Sequence, residues 1–121
     1  MDFVCLDGSI VKIEISAAKY PPRNISGPQT AARERIKQEF GDQIILEEFT
    51  IPKSQLRLDF FLPKINIAVE VHGRQHFEFV KHFHGTRKKF AEAKLRDQLK
   101  KQWCELNGIE LIVWSEDGPS D

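Results

Sequence analysis

Residues 57–76, RLDFFLPKINIAVEVHGRQH, constrain the fold more than any other stretch of the chain. Leu58, Phe60 and Leu62 alternate with Asp59 and Phe61. Beyond Pro63-Lys64, Ile65, Ile67, Val69 and Val71 alternate with Asn66, Ala68, Glu70 and His72. A period of two marks half-buried strands, and Pro63-Lys64 supplies the turn, so a β-hairpin is predicted. With Leu62 facing Ile67, Phe60 faces Val69 and Leu58 faces Val71, giving one wholly apolar face. The same register sets Asp59 opposite Glu70 on the other face, with side-chain bases roughly 5 Å apart. Like charges so placed weaken a sheet unless something positive lies between them. A hard divalent cation, magnesium or manganese, suits two carboxylates. On either acid alone, a solvated strand face accounts for the residue just as simply.

The remaining elements are read around that hairpin. Phe3 to Leu6 and Ile10 to Ile15 form a short hairpin across Asp7-Gly8, and residues 16–28, with three prolines, read as a linker or surface arm. A helix is expected from Gln29 to Phe40, stopped by Gly41, with Ala32, Ile36 and Phe40 as its apolar stripe. A strand over Ile44 to Ile51 precedes the central hairpin. A long helix follows from Thr86 to Leu106, ended by Asn107-Gly108, and Ile109 to Trp114 reads as a buried strand. Ala91, Leu95, Leu99, Trp103 and Leu106 fall at core spacing on the long helix. Asp97 lies away from that stripe, on a weaker one with Phe90, Ala93 and Cys104. There it wants a partner: a histidine, or Lys94, Lys100 or Lys101 along the helix. The order hairpin–α–βββ–α–β predicts an α/β (α+β) layer fold, a mixed central sheet flanked by helices.

Whole-chain properties narrow the function. At 121 residues the chain supports one domain with a two-layer core. No apolar run approaches the ~20 residues of a membrane span, and no basic-then-apolar leader opens the sequence, so a cytoplasmic protein with no membrane partner is expected. Cys5 and Cys104 lack CxxC spacing, so free thiols are expected and a zinc ribbon is excluded. Net charge is zero, yet residues 72–102 carry 9 basic and 3 acidic side chains and all four histidines. That block follows the hairpin directly and suits a phosphate-backbone partner, though a solvated helix face has the same composition. Arg74, Lys81, Arg87, Lys88 and Lys89 are its candidate nucleic-acid contacts. Phe77, Phe79 and Phe83 are interleaved with them, as on surfaces that stack bases.

The ordered segments RLDFFLP, NIAVEVHGRQH and KLRDQLKKQWCELNGIELIVW resemble the PD-(D/E)XK nuclease superfamily. The resemblance covers residues 29–114 and is nearest to the Vsr-like branch. That branch includes very-short-patch repair enzymes and the phage- and intron-encoded homing endonucleases with a Glu–Asp–x–His–Asp pattern. It implies a restriction-endonuclease-like fold over 29–114, with 1–28 outside it as an N-terminal hairpin and linker arm and 115–121 as an acidic tail, one domain overall. By this resemblance Asp59 is the metal-binding aspartate and His76 the catalytic histidine. Asp97 is the acid supporting that histidine, and Glu70 stands where the wider superfamily has its second acid. His72 occupies the superfamily's lysine position, which points to histidine chemistry. Glu34 has the more family-like spacing for the helical glutamate, and Glu39 is the other candidate. The implied activity is a magnesium-dependent DNA endonuclease or nickase, acting as a monomer or homodimer. A structure-selective DNase such as a junction resolvase, and a catalytically inactive nucleic-acid-binding module, are the alternatives.

Overall fold

A computed structural model describes residues 1–23, 27–72 and 86–115. The central hairpin forms where the alternation places it, with β4 at Arg57–Leu62 and β5 at Ile67–His72. Its ladder pairs Phe60 with Val69, Phe61 with Ala68 and Leu62 with Ile67, as expected from the pattern; the expected Leu58–Val71 pair is not made, and Leu58 packs in the other core from Phe60 and Val71. The connection is a four-residue turn over 63–66. Asn66 takes the left-handed backbone (φ 53°) that asparagine tolerates better than most residues, so Ile65 belongs to the turn and not to the strand.

Around it, the chain begins with a two-stranded hairpin, β1 (Asp2–Val4) and β2 (Ile10–Lys12). Helix α1 spans Gly27–Phe40, β3 Leu46–Thr50, helix α2 Arg87–Leu106 and β6 Glu110–Ser115. The main sheet has the order β3-β4-β5-β6, antiparallel except for the β5–β6 pair. The chain is therefore mixed α and β, with a four-stranded mixed sheet and two helices among the described residues. Thr86 caps α2, its hydroxyl accepting the Lys89 N–H, and Gly108 follows the helix at φ 65°, where a side chain would be strained.

The apolar residues do not collect on one face of the hairpin. Consecutive residues Ala68 and Val69 fall into different cores, as a pleated strand requires when both faces are covered. On one face Phe60, Leu62 and Val69 pack with Ala32 and Ile36 of α1 and with Trp114. On the other, Leu58, Phe61 and Ala68 pack with Trp103 and Cys104 of α2 and with Phe3 of β1. The alternation slips at Glu48, which adopts a left-handed backbone (φ 51°) and drops out of the β3–β4 ladder opposite Asp59. Leu46 and Phe49, three residues apart, consequently reach the same core.

The N-terminal hairpin, which lies outside the family resemblance, is part of the core: Phe3 is buried, with ring centroids 5.3 Å from Trp103 and 5.8 Å from Phe49. Asn107 at the end of α2 fastens it, accepting from the Val4 N–H (2.8 Å) and donating to the Val4 carbonyl (3.0 Å). The long helix sits on the sheet by a different stripe from the one expected. Leu95 is 54% exposed and Leu106 47%, so the leucine stripe faces outward apart from half-buried Leu99. The weaker stripe turns inward: Ala93, Asp97, Lys100 and Cys104 face the sheet, with Trp103 filling the core beside them.

Candidate functional site

The site grows from the point where the β4–β5 ladder gives way to side chains. The Asp59 N–H donates to Glu70 Oε2 (2.7 Å), and the Val71 N–H donates to Asp59 Oδ2 (2.8 Å). Each carboxyl group thus replaces a carbonyl of the ladder, and the two acids are locked together across the hairpin. Glu70 is fully buried and Asp59 partly so. Burial, then the adjacent Glu70 charge, push the Asp59 carboxyl up to about 8. For Glu70 burial pushes upward as well, but the adjacent His72 and the charge of Lys100 outweigh it, and the group stays ionised well below the usual carboxylate range. At neutral pH the pair therefore shares about one proton and carries about one negative charge.

Helix α2 supplies the groups opposite. Lys100 Nζ donates to Glu70 Oε1 at 2.7 Å with its ammonium mostly buried. One turn earlier, Asp97 Oδ1 lies 3.9 Å from His72 Nε2, which is also 3.9 Å from Glu70 Oε1. The spacing explains the convergence. Glu70 and His72 are two apart on a strand and share its α2 face, and Asp97 and Lys100 are three apart on a helix and share its sheet-facing side. Together they line one side of an open cleft of about 380 Å³ between α2 and the β5–β6 pair.

Of the residues singled out in the sequence, Asp59, Glu70, His72 and Asp97 are brought together. Glu34 is not. Helix α1 covers the opposite face of the sheet, and Glu34 points to solvent with Lys37 Nζ at 3.5 Å. Glu39 likewise pairs with Arg35 on the surface of α1. The glutamate that α1 does engage is Glu47 of β3, buried and held by Arg33, Gln29 and the Arg23 N–H on the far side of the sheet from Glu70. Arg87, Lys88 and Lys89 occupy the exposed first turn of α2. His76, Arg74 and Lys81 lie outside the described residues.

Lys100 is the residue that sequence reasoning underweighted. It was one of three lysines offered to Asp97, and its partner is instead a strand carboxylate 30 positions away. The signal was available: Lys100 falls on the weaker stripe, between Asp97 and Cys104, where a cation needs a buried acid. Cys104 beside it takes no part as a thiolate, since burial and then the Glu70 charge push its thiol up to about 12.

The relatives found for this chain are viral. It is 39% identical over 57 residues to uncharacterized protein 307L of Invertebrate iridescent virus 6, covering 47% of this chain and 29% of that protein. It is 37% identical over 62 residues to uncharacterized protein 033L of Invertebrate iridescent virus 3, covering 51% and 32%. To uncharacterized protein 094L of Frog virus 3 it is 40% identical over 58 residues, covering 47% and 37%. The matched stretch thus spans about a third of the length of each relative. No family model matches the chain, and no solved structure matches it.

A divalent metal is tested by the donor set. Among the described residues no three histidine, cysteine or acidic side chains form a ready cage. Asp59 and Glu70 offer the hard oxygen donors that magnesium takes, one or two carboxylates completed by water and substrate oxygens, with Glu70 Oε1 held by Lys100 and Oε2 by the Asp59 N–H.

Proposed function

We propose that the protein is a metal-dependent DNA endonuclease or nickase whose reacting centre is the Asp59–Glu70 pair. One observation carries this reading above the others: two carboxyl groups are held against each other in the sheet, Glu70 at the wall of a cleft, with Lys100 donating to Glu70 and His72 beside it among the described residues. A purely structural pair gains little from such repulsion, whereas a phosphodiesterase needs two fixed acids at the scissile phosphate. A magnesium ion held by Asp59 and Glu70 would polarise that phosphate and acidify a bound water. The chain's own residues do the rest. Backbone N–H groups of Asp59 and Val71 fix the two carboxyl orientations before substrate arrives. Lys100 places a cation where charge accumulates on the phosphate oxygens. His72, held between Glu70 and Asp97, is positioned to move a proton; the family resemblance gives that task to His76. Such proton transfer contributes roughly 10²–10⁴ in rate. Lys88 and Lys89 at the exposed start of α2 suit the DNA backbone.

One observation favours a second reading, a nucleic-acid-binding module without catalysis. Lys100 already neutralises Glu70, as a network that never takes a metal would arrange it. The two readings separate in one assay, incubation of supercoiled plasmid with the protein in magnesium and in EDTA. Conversion to open-circular or linear DNA only with magnesium supports the nuclease. Plasmid that is bound yet intact in both supports the binding module.

A further inference from the structure

The cleft beside the carboxylate pair has more structure than phosphodiester hydrolysis requires. Its floor is apolar, formed by Leu111 and Val113 of β6, which share the α2 face with Ala68 and Glu70 through the parallel register. Lys94 and Lys101 stand on its helical wall with Asp97 between them in sequence, and Gln98 adds an amide that both donates and accepts. Glu70 and its lysine close the inner end. At about 380 Å³ it lies at the small-molecule end of ligand sites, which run roughly 300–1,000 Å³. A duplex groove does not fit in such a space, but one base with its sugar does. An apolar floor, cations on one wall and a planar amide match the three parts of a nucleotide: a stackable face, a phosphate and a hydrogen-bonding edge.

We infer that this cleft seats a single unstacked nucleotide of the substrate strand, its base on Leu111 and Val113 and its phosphate toward Lys94 and Lys101. The inference rests on the nuclease reading only for calling that nucleotide a neighbour of the scissile bond; the seat itself stands on the cleft. A base reaches it only by leaving the helical stack, which costs least at a gap, mismatch, branch or single strand. The site therefore favours DNA with an unpaired nucleotide beside the cut.

The test uses the whole chain in EDTA, so that no cleavage intervenes, with thymidine 5′-monophosphate as probe and thymidine and inorganic phosphate as controls. Binding is followed by amide chemical shifts. Saturable shifts at Gln98, Lys101, Leu111 and Val113, with the monophosphate bound more tightly than either fragment, are expected. Lys101→Glu at an exposed position should weaken binding about tenfold, the loss of one charge-assisted contact, with an unchanged melting temperature. Val113→Phe should block the floor, and Lys101→Glu keeps the test decisive should that variant not fold. Shifts confined to Lys88 and Lys89, or inorganic phosphate binding as tightly as the nucleotide, overturn the inference. A protein that cuts plasmid but binds no nucleotide here loses the cleft and keeps the nuclease. One that binds the nucleotide here but never cuts loses the nuclease and keeps the cleft.

Discussion

At the scale of single residues, Asp59 and Glu70 divide the work of one charge. Asp59 is raised from its ordinary 3.8 to about 8, so the folded chain holds a proton there that the unfolded chain has released. Its contribution to stability is therefore present at low pH and is lost as pH rises from about 4 through about 8. Glu70 is lowered, so its contribution is present above its ordinary 4.5 and is lost as pH falls below that value. Denaturant midpoints should fall between pH 5 and pH 8 in the wild type, and Asp59→Asn, which keeps the acceptor for the Val71 N–H, should flatten that fall. Parallel pH profiles for the two proteins would place the proton elsewhere. The same proton must leave when a metal binds, so magnesium binding at pH 7 should release about one proton per ion. Titration calorimetry in two buffers of different ionisation enthalpy measures it. The pairing of Asp59 with Glu70 was legible in the sequence because strand alternation fixes register, and register fixes which residues are opposed. The capture of Lys100 by Glu70 was not, because it depends on how α2 is rotated over the sheet.

That rotation is the lesson at the scale of elements. A helical wheel shows α2 with two stripes, and hydrophobicity alone selects Leu95, Leu99 and Leu106. The helix instead turns Asp97 and Lys100 inward. Buried Glu70 needs a cation, and Trp103, at the edge of the main stripe nearest the weaker one, still fills the core in that orientation. Nothing in the structure explains the exposure of Leu95 and Leu106. The orientation has measurable consequences in urea unfolding. Leu95→Glu should change stability by no more than about 0.5 kcal/mol, as for a surface site. Trp103→Ala should cost about 3–5 kcal/mol, as for a fully buried aromatic. A large loss at Leu95 would mean that the leucine stripe is the buried one. Helix α1 shows the complementary limit. Its boundaries and its stripe of Ala32 and Ile36 were readable, yet spacing along the chain does not say which face of a sheet a helix covers. Glu34 was expected at the site for its spacing before Asp59, and it stands on the other side of the sheet.

At the scale of the whole molecule, covering the sheet on both faces is what makes the carboxylate pair possible. Acids locked into a ladder in this way would be hydrated and mobile on an open face; under α2 they are held by backbone N–H groups and one lysine. The N-terminal hairpin belongs to that cover through Phe3 and Asn107, so Phe3→Ala should destabilise the entire chain by about 3–5 kcal/mol in one cooperative transition. A separate early transition would mean that the hairpin does not belong to the cooperative core. Lys88 and Lys89 lie exposed at the start of α2, and on the proposed function reversing both charges should weaken DNA binding and shallow its salt dependence while leaving single-turnover cleavage of saturating DNA unchanged. The central claim, that Asp59 and Glu70 are the reacting centre of a magnesium-dependent nuclease, is tested most directly by single-turnover cleavage of one labelled DNA. Wild-type and Asp59→Asn proteins are compared in magnesium, with matched folding confirmed by unfolding midpoints. The expected result is a drop of roughly 10²–10³ in rate for Asp59→Asn, with DNA affinity retained. Equal rates for the two proteins, or cleavage by both in EDTA, would contradict it.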